Sequence, residues 1–336
     1  MLTGGQERSP CIEINGSSGL QTALFSANGK HILCGGQNQH HVGVWRVQDG
    51  KLLGKLEAED VLCSAVSKNG CWLAAGTYYG YLFVWDAKSY NRVWKLKHGK
   101  DYGEIHGVDF SPDSSRLVVA SSDRTATIWS VTIRKQVQIL QHKGPVIAAK
   151  FSPQGELIAT ASGETVQIWD SSDGRLLQEI QVKVAPQYNN GLVWFDYHLY
   201  VVSGNTIKQL DTSSSIVSEW LVPDSNSFSC IALPSTGDFI AYSTGPTVTL
   251  WDLLTHSQIG LIQHHEDVCS IAFSPDDCSL AIGATDGKTN IENLSRTGVS
   301  TVSRGVIACL TSLLRSSFQP EFISFPPHFP RTRRSS

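Results

Sequence analysis

The chain has 336 residues, of which 41% are hydrophobic and 17% charged, with a formal net charge of -3. That length admits one large or two ordinary domains, and so small a charge excludes steering of the whole body toward nucleic acid or a membrane surface. Sparse charge with abundant Gly, Ser and Thr favours strands and turns over helices.

The first alternating run is "CIEI" (Cys11–Ile14), and from Phe25 onward two marks recur. One is an apolar residue followed by a tight polar turn: "FSANG" at Phe25, "VSKNG" at Val66, "FSPDS" at Phe110, "FSPQG" at Phe151, "LPSTG" at Leu233 and "FSPDD" at Phe273. The other is a branched or apolar residue followed by Trp, at Trp45, Trp85, Trp129, Trp169 and Trp251. The Trp spacings are 40 (85−45), 44 (129−85), 40 (169−129) and 82 (251−169), so one mark is missing midway, where Leu210 and Asp211 stand. One further period beyond Trp251 falls on Glu292. The interval from the turn mark to the Trp position is 20, 19, 19, 18, 18 and 19 in the six repeats that keep the turn. Only the fifth repeat, with "LVWFDYHLYVV", departs from the pattern.

Each copy holds short alternating runs such as "RLVVAS" and "TATIWS", separated by turn residues, which predicts four strands in about 40 residues. One such sheet cannot bury both faces; radial stacking of seven of them can. The segments "FSPDSSRLVVASSDRTATIW" and "FSPQGELIATASGETVQIWD" resemble the WD-repeat family, and the resemblance runs from about Ile12 to Leu294. It implies an all-β, seven-bladed propeller of four-stranded antiparallel blades. In style the repeats resemble WD-repeat proteins of filamentous fungi. The family also implies a structural relay within a blade: a His before the first strand, a Ser or Thr on the second, an Asp in the next turn, and the Trp. His142 and His264 stand at its His position and Asp123 and Asp286 at its Asp position, with no blade expected to keep all four members.

The resemblance further implies that the outermost strand of the last blade comes from the N-terminus. Register supports this. Ile139-Leu140 and Leu261-Ile262 lie 12 and 11 residues before their Phe marks, and the same offsets from Phe25 reach Glu13 and Ile14. A competing segment is 298–303, but "CIEI" alternates better and otherwise lacks a partner. The expected organisation is an extension at 1–10, the propeller at 11–294, and a basic, Ser/Pro-rich, disordered tail at 295–336. Within that tail, Val306–Leu314 could form a short docking helix.

No catalytic motif of the Gly-x-Ser-x-Gly, His-Glu-x-x-His or phosphate-loop kind occurs. His40-His41 and His264-His265 are adjacent pairs, which on a strand point to opposite faces and suit no single metal ion. The eight cysteines (Cys11, Cys34, Cys63, Cys71, Cys230, Cys269, Cys278 and Cys309) form no CxxC pair and read as reduced, buried thiols. The N-terminal "MLTGGQERSP" lacks the apolar core of a signal peptide, and "GVIACLTSLL" is about half a membrane span. No cofactor, metal or catalytic residue is therefore expected, and the chain reads as cytoplasmic or nuclear.

What remains is recognition. Tyr78, Tyr79 and Tyr81 surround the turn of "GTYYGYLFVW"; His98, Lys100 and Tyr102 lie in the loop that lengthens the third repeat, and Tyr188 enters the divergent fifth. Tyrosines on loops bring contact area at low rotamer cost. The expectation is a non-catalytic scaffold or sensor, a monomeric propeller within a larger assembly, binding proteins or peptides through its top rim and channel mouth. Association with nucleic acid or ribonucleoprotein is the second reading, and a propeller hydrolase the third.

Overall fold

A computed structural model of the chain describes residues 12–16, 19–98, 103–182, 184, 191–211, 216–222 and 230–294. They form 28 strands in seven four-stranded antiparallel sheets. Blade one runs from Leu20 to Glu57, blade two from Val61 to Lys97, blade three from Ile105 to Gln141 and blade four from Ala148 to Gln181. Blades five and six occupy Leu192 to Leu221 and Ile231 to Gln263. Blade seven takes three strands between Val268 and Asn293, and its outer strand is Ile12–Asn15.

That closing strand has the register read from the sequence. Glu13 pairs with Asn290 and Ile14 with Thr289, as Ile139 pairs with Thr127 and Leu140 with Ala126 in blade three. Ile14 is 1% exposed, so the strand is part of the core and covers an otherwise open edge. Cys11, the competing segment 298–303, and the tail with its Val306–Leu314 run lie outside the described residues.

The core sits between blades. Each of seven buried apolar clusters joins two neighbouring sheets, one cluster per seam. The Trp position of each blade packs toward the preceding blade: Trp85 toward blade one, Trp169 toward blade three, and Leu210 in its place toward blade four. A bulge immediately before that residue recurs in six blades and re-aims its side chain at the seam. Glu292 cannot fill the seam of blades six and seven; Leu294 and an edge-to-face Phe239–Phe273 pair (centroids 5.5 Å apart) do so.

The polar mark is a hydrogen-bonded turn between first and second strands. Ser111 Oγ donates to Asp113 Oδ1 (2.5 Å), and the backbone N–H of Arg116 donates back to Ser111 Oγ (2.9 Å). In the fifth repeat Phe195 pairs with His198 across a two-residue turn, which is why the mark is absent there.

The cysteine expectation needs correction. Cys34, Cys63, Cys230 and Cys269 are free and buried, but Cys71 is free and exposed in a turn. Cys278 is disulfide-bonded. It lies in the half-buried turn before the second strand of blade seven.

Candidate protein-interaction surface

The turns from second to third strand and the loops entering each first strand share one face of the ring. In blade two that turn is Thr77-Tyr78-Tyr79-Gly80. Thr77 closes it by accepting from Tyr81 N at Oγ1 (3.0 Å) and from Gly80 N at its carbonyl (3.1 Å). Gly80 has φ 74°, and a Cβ there would stand 2.7 Å from the Gly103 carbonyl oxygen. The two tyrosines occupy the tip, 44% and 41% exposed, with rings edge to face and centroids 5.5 Å apart. Each ring limits the other's rotamers, so the pair presents a pre-ordered aromatic surface.

The other expected contact residues are placed differently. Tyr81 starts the third strand and packs on the seam of blades one and two, with Lys95 Nζ 4.3 Å over its ring. His98 is not on the rim surface: it is 3% exposed. Its Nε2 lies 3.5 Å from Asp123 Oδ2 and its Nδ1 3.4 Å from Thr127 Oγ1, which accepts from Trp129 Nε1 at 2.9 Å. Blade three therefore brings His, Asp and Trp together around Thr127 of its third strand, while Val119 stands where the family's second-strand hydroxyl would be. The set was hidden because His98 precedes Phe110 by 12 residues, against nine for His142 before Phe151, and because its hydroxyl comes from the third strand. Lys100, Tyr102 and Tyr188 lie outside the described residues.

Blade four holds three members. Trp169 Nε1 donates to Thr160 Oγ1 (2.8 Å), and Thr160 Oγ1 is 2.8 Å from His142 Nε2, whose Nδ1 faces the Leu140 carbonyl (3.0 Å). Burial lowers the His142 pKa to about 4 despite the Leu140 carbonyl and Glu179. In blade seven His264 Nδ1 meets Asn290 Nδ2 (3.3 Å), while Asp286 caps its own turn by accepting from Lys288 N (2.9 Å). These histidines hold blades together.

Inside the ring the first strands line a channel. Asp109 and Lys150 come from successive blades, with Lys150 Nζ 3.7 Å from Asp109 Oδ1. Asp109 Oδ2 also accepts from Phe151 N (2.9 Å), tying blade three to blade four. Burial raises the Asp109 pKa, and Lys150 and that N–H oppose the rise. The pair borders a cavity of about 230 Å³ with Thr22, Cys63 and Ser64. Nearer the other mouth His106 Nε2 lies 3.2 Å from Glu104 Oε2. Sequence reasoning passed over these groups. Their signal was charge at the position before the turn mark, where Leu24, Ala65, Trp194, Ala232 and Ala272 stand in other blades. Asp109 is committed to a backbone N–H and a lysine, and burial drives the Cys34, Cys63 and Cys230 thiols up to about 12. Asp109 and Lys150 thus tie two blades together, and the three buried thiols stay protonated.

With this geometry the likenesses to known proteins are coherent. The WD domain, G-beta repeat family matches residues 50–86, 91–130, 134–170 and 256–291. Each match takes in the outer strand of one blade and the first three of the next, so the repeat unit straddles a seam. A periodic tryptophan protein 2 homolog of Dictyostelium discoideum is 24% identical over 282 residues, covering 82% of this chain and 26% of that protein. WD repeat-containing protein 18 of Danio rerio is 21% identical over 317 residues, 85% of this chain and 72% of its own. The pre-rRNA-processing protein crb3/ipi3 of Schizosaccharomyces pombe is 28% identical over 147 residues, 38% of this chain and 32% of that one. The chain thus spans about a quarter of the first of these relatives. Seven blades, five of them with a periodic tryptophan at the seam, together with four stretches that match the family's repeat, make this chain a WD-repeat β-propeller.

Proposed function

We propose that the chain is a non-catalytic interaction scaffold inside the cell, a monomeric propeller at residues 11–294 that binds proteins or peptides as part of a larger assembly. The observation that carries this reading is the Tyr78–Tyr79 pair: two large aromatics held edge to face on a rigid turn and left open to solvent. Aromatic anchors on a rigid support dominate binding energy at protein interfaces. Lys100, Tyr102 and Tyr188, which lie outside the described residues, belong to the same proposal on their sequence alone. The test is affinity capture with the wild type and with Tyr78→Ala/Tyr79→Ala. Both rings are exposed, so the variant should keep wild-type stability within about 0.5 kcal/mol while losing its rim-dependent partners. Unchanged partner recovery would refute the reading. A second reading, association with a ribonucleoprotein, is favoured by the likeness to the fission-yeast pre-rRNA-processing protein. Nuclease treatment before capture separates the two, because partners bridged by RNA are then lost from the wild type.

A further inference from the structure

On the face opposite the tyrosines, blades one and two part around a cavity of about 480 Å³. Its rim carries Asn28, His31, Lys68, Asn69, Lys88 and Tyr90. Its floor is apolar, formed by Leu33, Val44 and Leu73.

One side chain that spans the seam in blade three is shorter here. In blade three Arg116 follows the polar turn and reaches across to blade four, donating to the Ser171 carbonyl and lying 5.5 Å over the Phe151 ring. His31 holds the same position in blade one and is too short to fill its seam.

The charge of the rim follows from a substitution within the turn. In blades three and seven the turn acceptor is a carboxylate: Asp113 Oδ1 accepts from Ser111 Oγ (2.5 Å) and Ser115 N (3.0 Å), and Asp276 Oδ1 from Ser274 Oγ (2.5 Å) and Cys278 N (3.1 Å). In blades one and two an amide does the same work. Asn28 Oδ1 accepts from Ser26 Oγ (2.8 Å) and Lys30 N (3.0 Å), and Asn69 Oδ1 from Ser67 Oγ (2.8 Å) and Cys71 N (2.9 Å). The turn is kept, two negative charges are removed, and each amide keeps its NH₂ as a further donor.

No carboxylate lines the cavity. Asp49, in an adjoining turn, is paired with Arg46 at 2.9 Å. Asp86, in another, accepts from the backbone N–H groups of Lys88 (3.1 Å) and Ser89 (2.7 Å). The rim ammonium groups of Lys68 and Lys88 are in no ion pair among the described residues. Tyr90 adds an aromatic wall from a left-handed backbone position (φ 60°) that glycine takes in blade four at Gly174 (φ 72°). A tyrosine there carries steric cost that glycine avoids.

We propose that this seam binds a phosphorylated side chain of a partner peptide, its phosphate at the Lys68–Lys88 rim and an adjacent apolar side chain on the floor. Two ammonium groups and two amide NH₂ groups match a dianion with three acceptor oxygens, and the apolar floor needs a neighbour that a free anion lacks. The site is independent of the tyrosine rim.

The test uses the full chain and three fluorescein-labelled degenerate peptide pools that differ only in a central phosphoserine, glutamate or serine, read by fluorescence anisotropy. The phosphoserine pool should bind at least about tenfold more tightly than the serine pool and weaken as salt rises. Asn28→Asp/Asn69→Asp should weaken it by at least about tenfold through like-charge repulsion, since aspartate supports the same turn in blades three and seven. Lys68→Ala/Lys88→Ala, which alters only exposed side chains, should do the same and serves if the first variant folds poorly. Tyr78→Ala/Tyr79→Ala should leave this binding unchanged, which separates it from the rim reading. Equal affinity for the phosphoserine and serine pools, or undiminished binding by the lysine variant, would overturn the proposal. Equal affinity for the glutamate pool would overturn the phosphate assignment.

Discussion

Replacing Thr160 with valine removes one oxygen from the centre of blade four and changes almost no volume. Thr160 is fully buried, and its Oγ1 is 2.8 Å from both Trp169 Nε1 and His142 Nε2. The partners fix the direction of the chain: the indole N–H donates to Oγ1, the hydroxyl donates to Nε2, and Nδ1–H donates to the Leu140 carbonyl. Valine strands an indole N–H and an imidazole nitrogen, each at about 1–3 kcal/mol, so Thr160→Val should cost about 3 kcal/mol. Thr160→Ser keeps the oxygen and loses one methyl, about 1 kcal/mol. Urea denaturation followed by tryptophan fluorescence measures both. If the serine variant is the less stable of the two, the relay contributes little and the argument is wrong.

The same site sets a pH dependence. His142 titrates near 4 in the folded chain and at an ordinary 6.5 once unfolded. Between these values the unfolded chain holds a proton the folded one lacks, so acid favours unfolding. Stability should be level above pH 6.5 and fall toward pH 4. The His142 share is about 3 kcal/mol, at 1.36 kcal/mol per pKa unit. Burial lowers the pKa values of His98, His106 and His264 in the same direction. Stability that rises on acidification through this window would contradict the assignment of neutral, buried rings.

Two further substitutions probe the architecture. Ile14→Asp places a charge at a 1% exposed site in the closing seam and should cost about 3–5 kcal/mol. It should also free the edge of blade seven, giving oligomers by light scattering, and a stable monomer would show that the strand is dispensable. Gly36→Ala would put a Cβ 2.0 Å from the Gly19 carbonyl oxygen and 2.7 Å from Leu20 Cα, both backbone atoms that cannot rotate away. A loss of about 3 kcal/mol or more is expected in thermal melts, and an unshifted melting temperature would refute the close approach.

What the sequence disclosed depended on whether an interaction repeats. The offsets that placed Glu13 and Ile14 against blade seven hold because every outer strand obeys one register, so two copies were enough to place a third. The polar relay does not repeat so strictly. Thr160 lies on a second strand and Thr127 on a third, and a hydroxyl that changes strands leaves no fixed spacing to find. His98 was misplaced for a related reason: its loop of lysine, histidine and tyrosine reads as surface, and only the fold shows the imidazole turned inward onto Asp123. Seam features were the least legible. Asn28, Lys68 and Lys88 belong to different turns, and nothing along the chain says that His31 leaves room between them.

Closure by the N-terminal strand has a consequence in time as well as space. Ile12 pairs with Ile291, 279 residues later (291−12), so the first of the ring's strands to be synthesised cannot be placed until almost the whole ring exists. At typical elongation rates of 5–20 residues per second, the wait is roughly 15–55 s. For that interval "IEIN" is an alternating strand without a sheet, and the growing ring has an edge without a lid. Six of the seven seams can form one after another as the chain emerges, but the seventh, the join of blades seven and one, cannot. Covering that edge once the ring is made therefore rests on the four residues Ile12–Asn15.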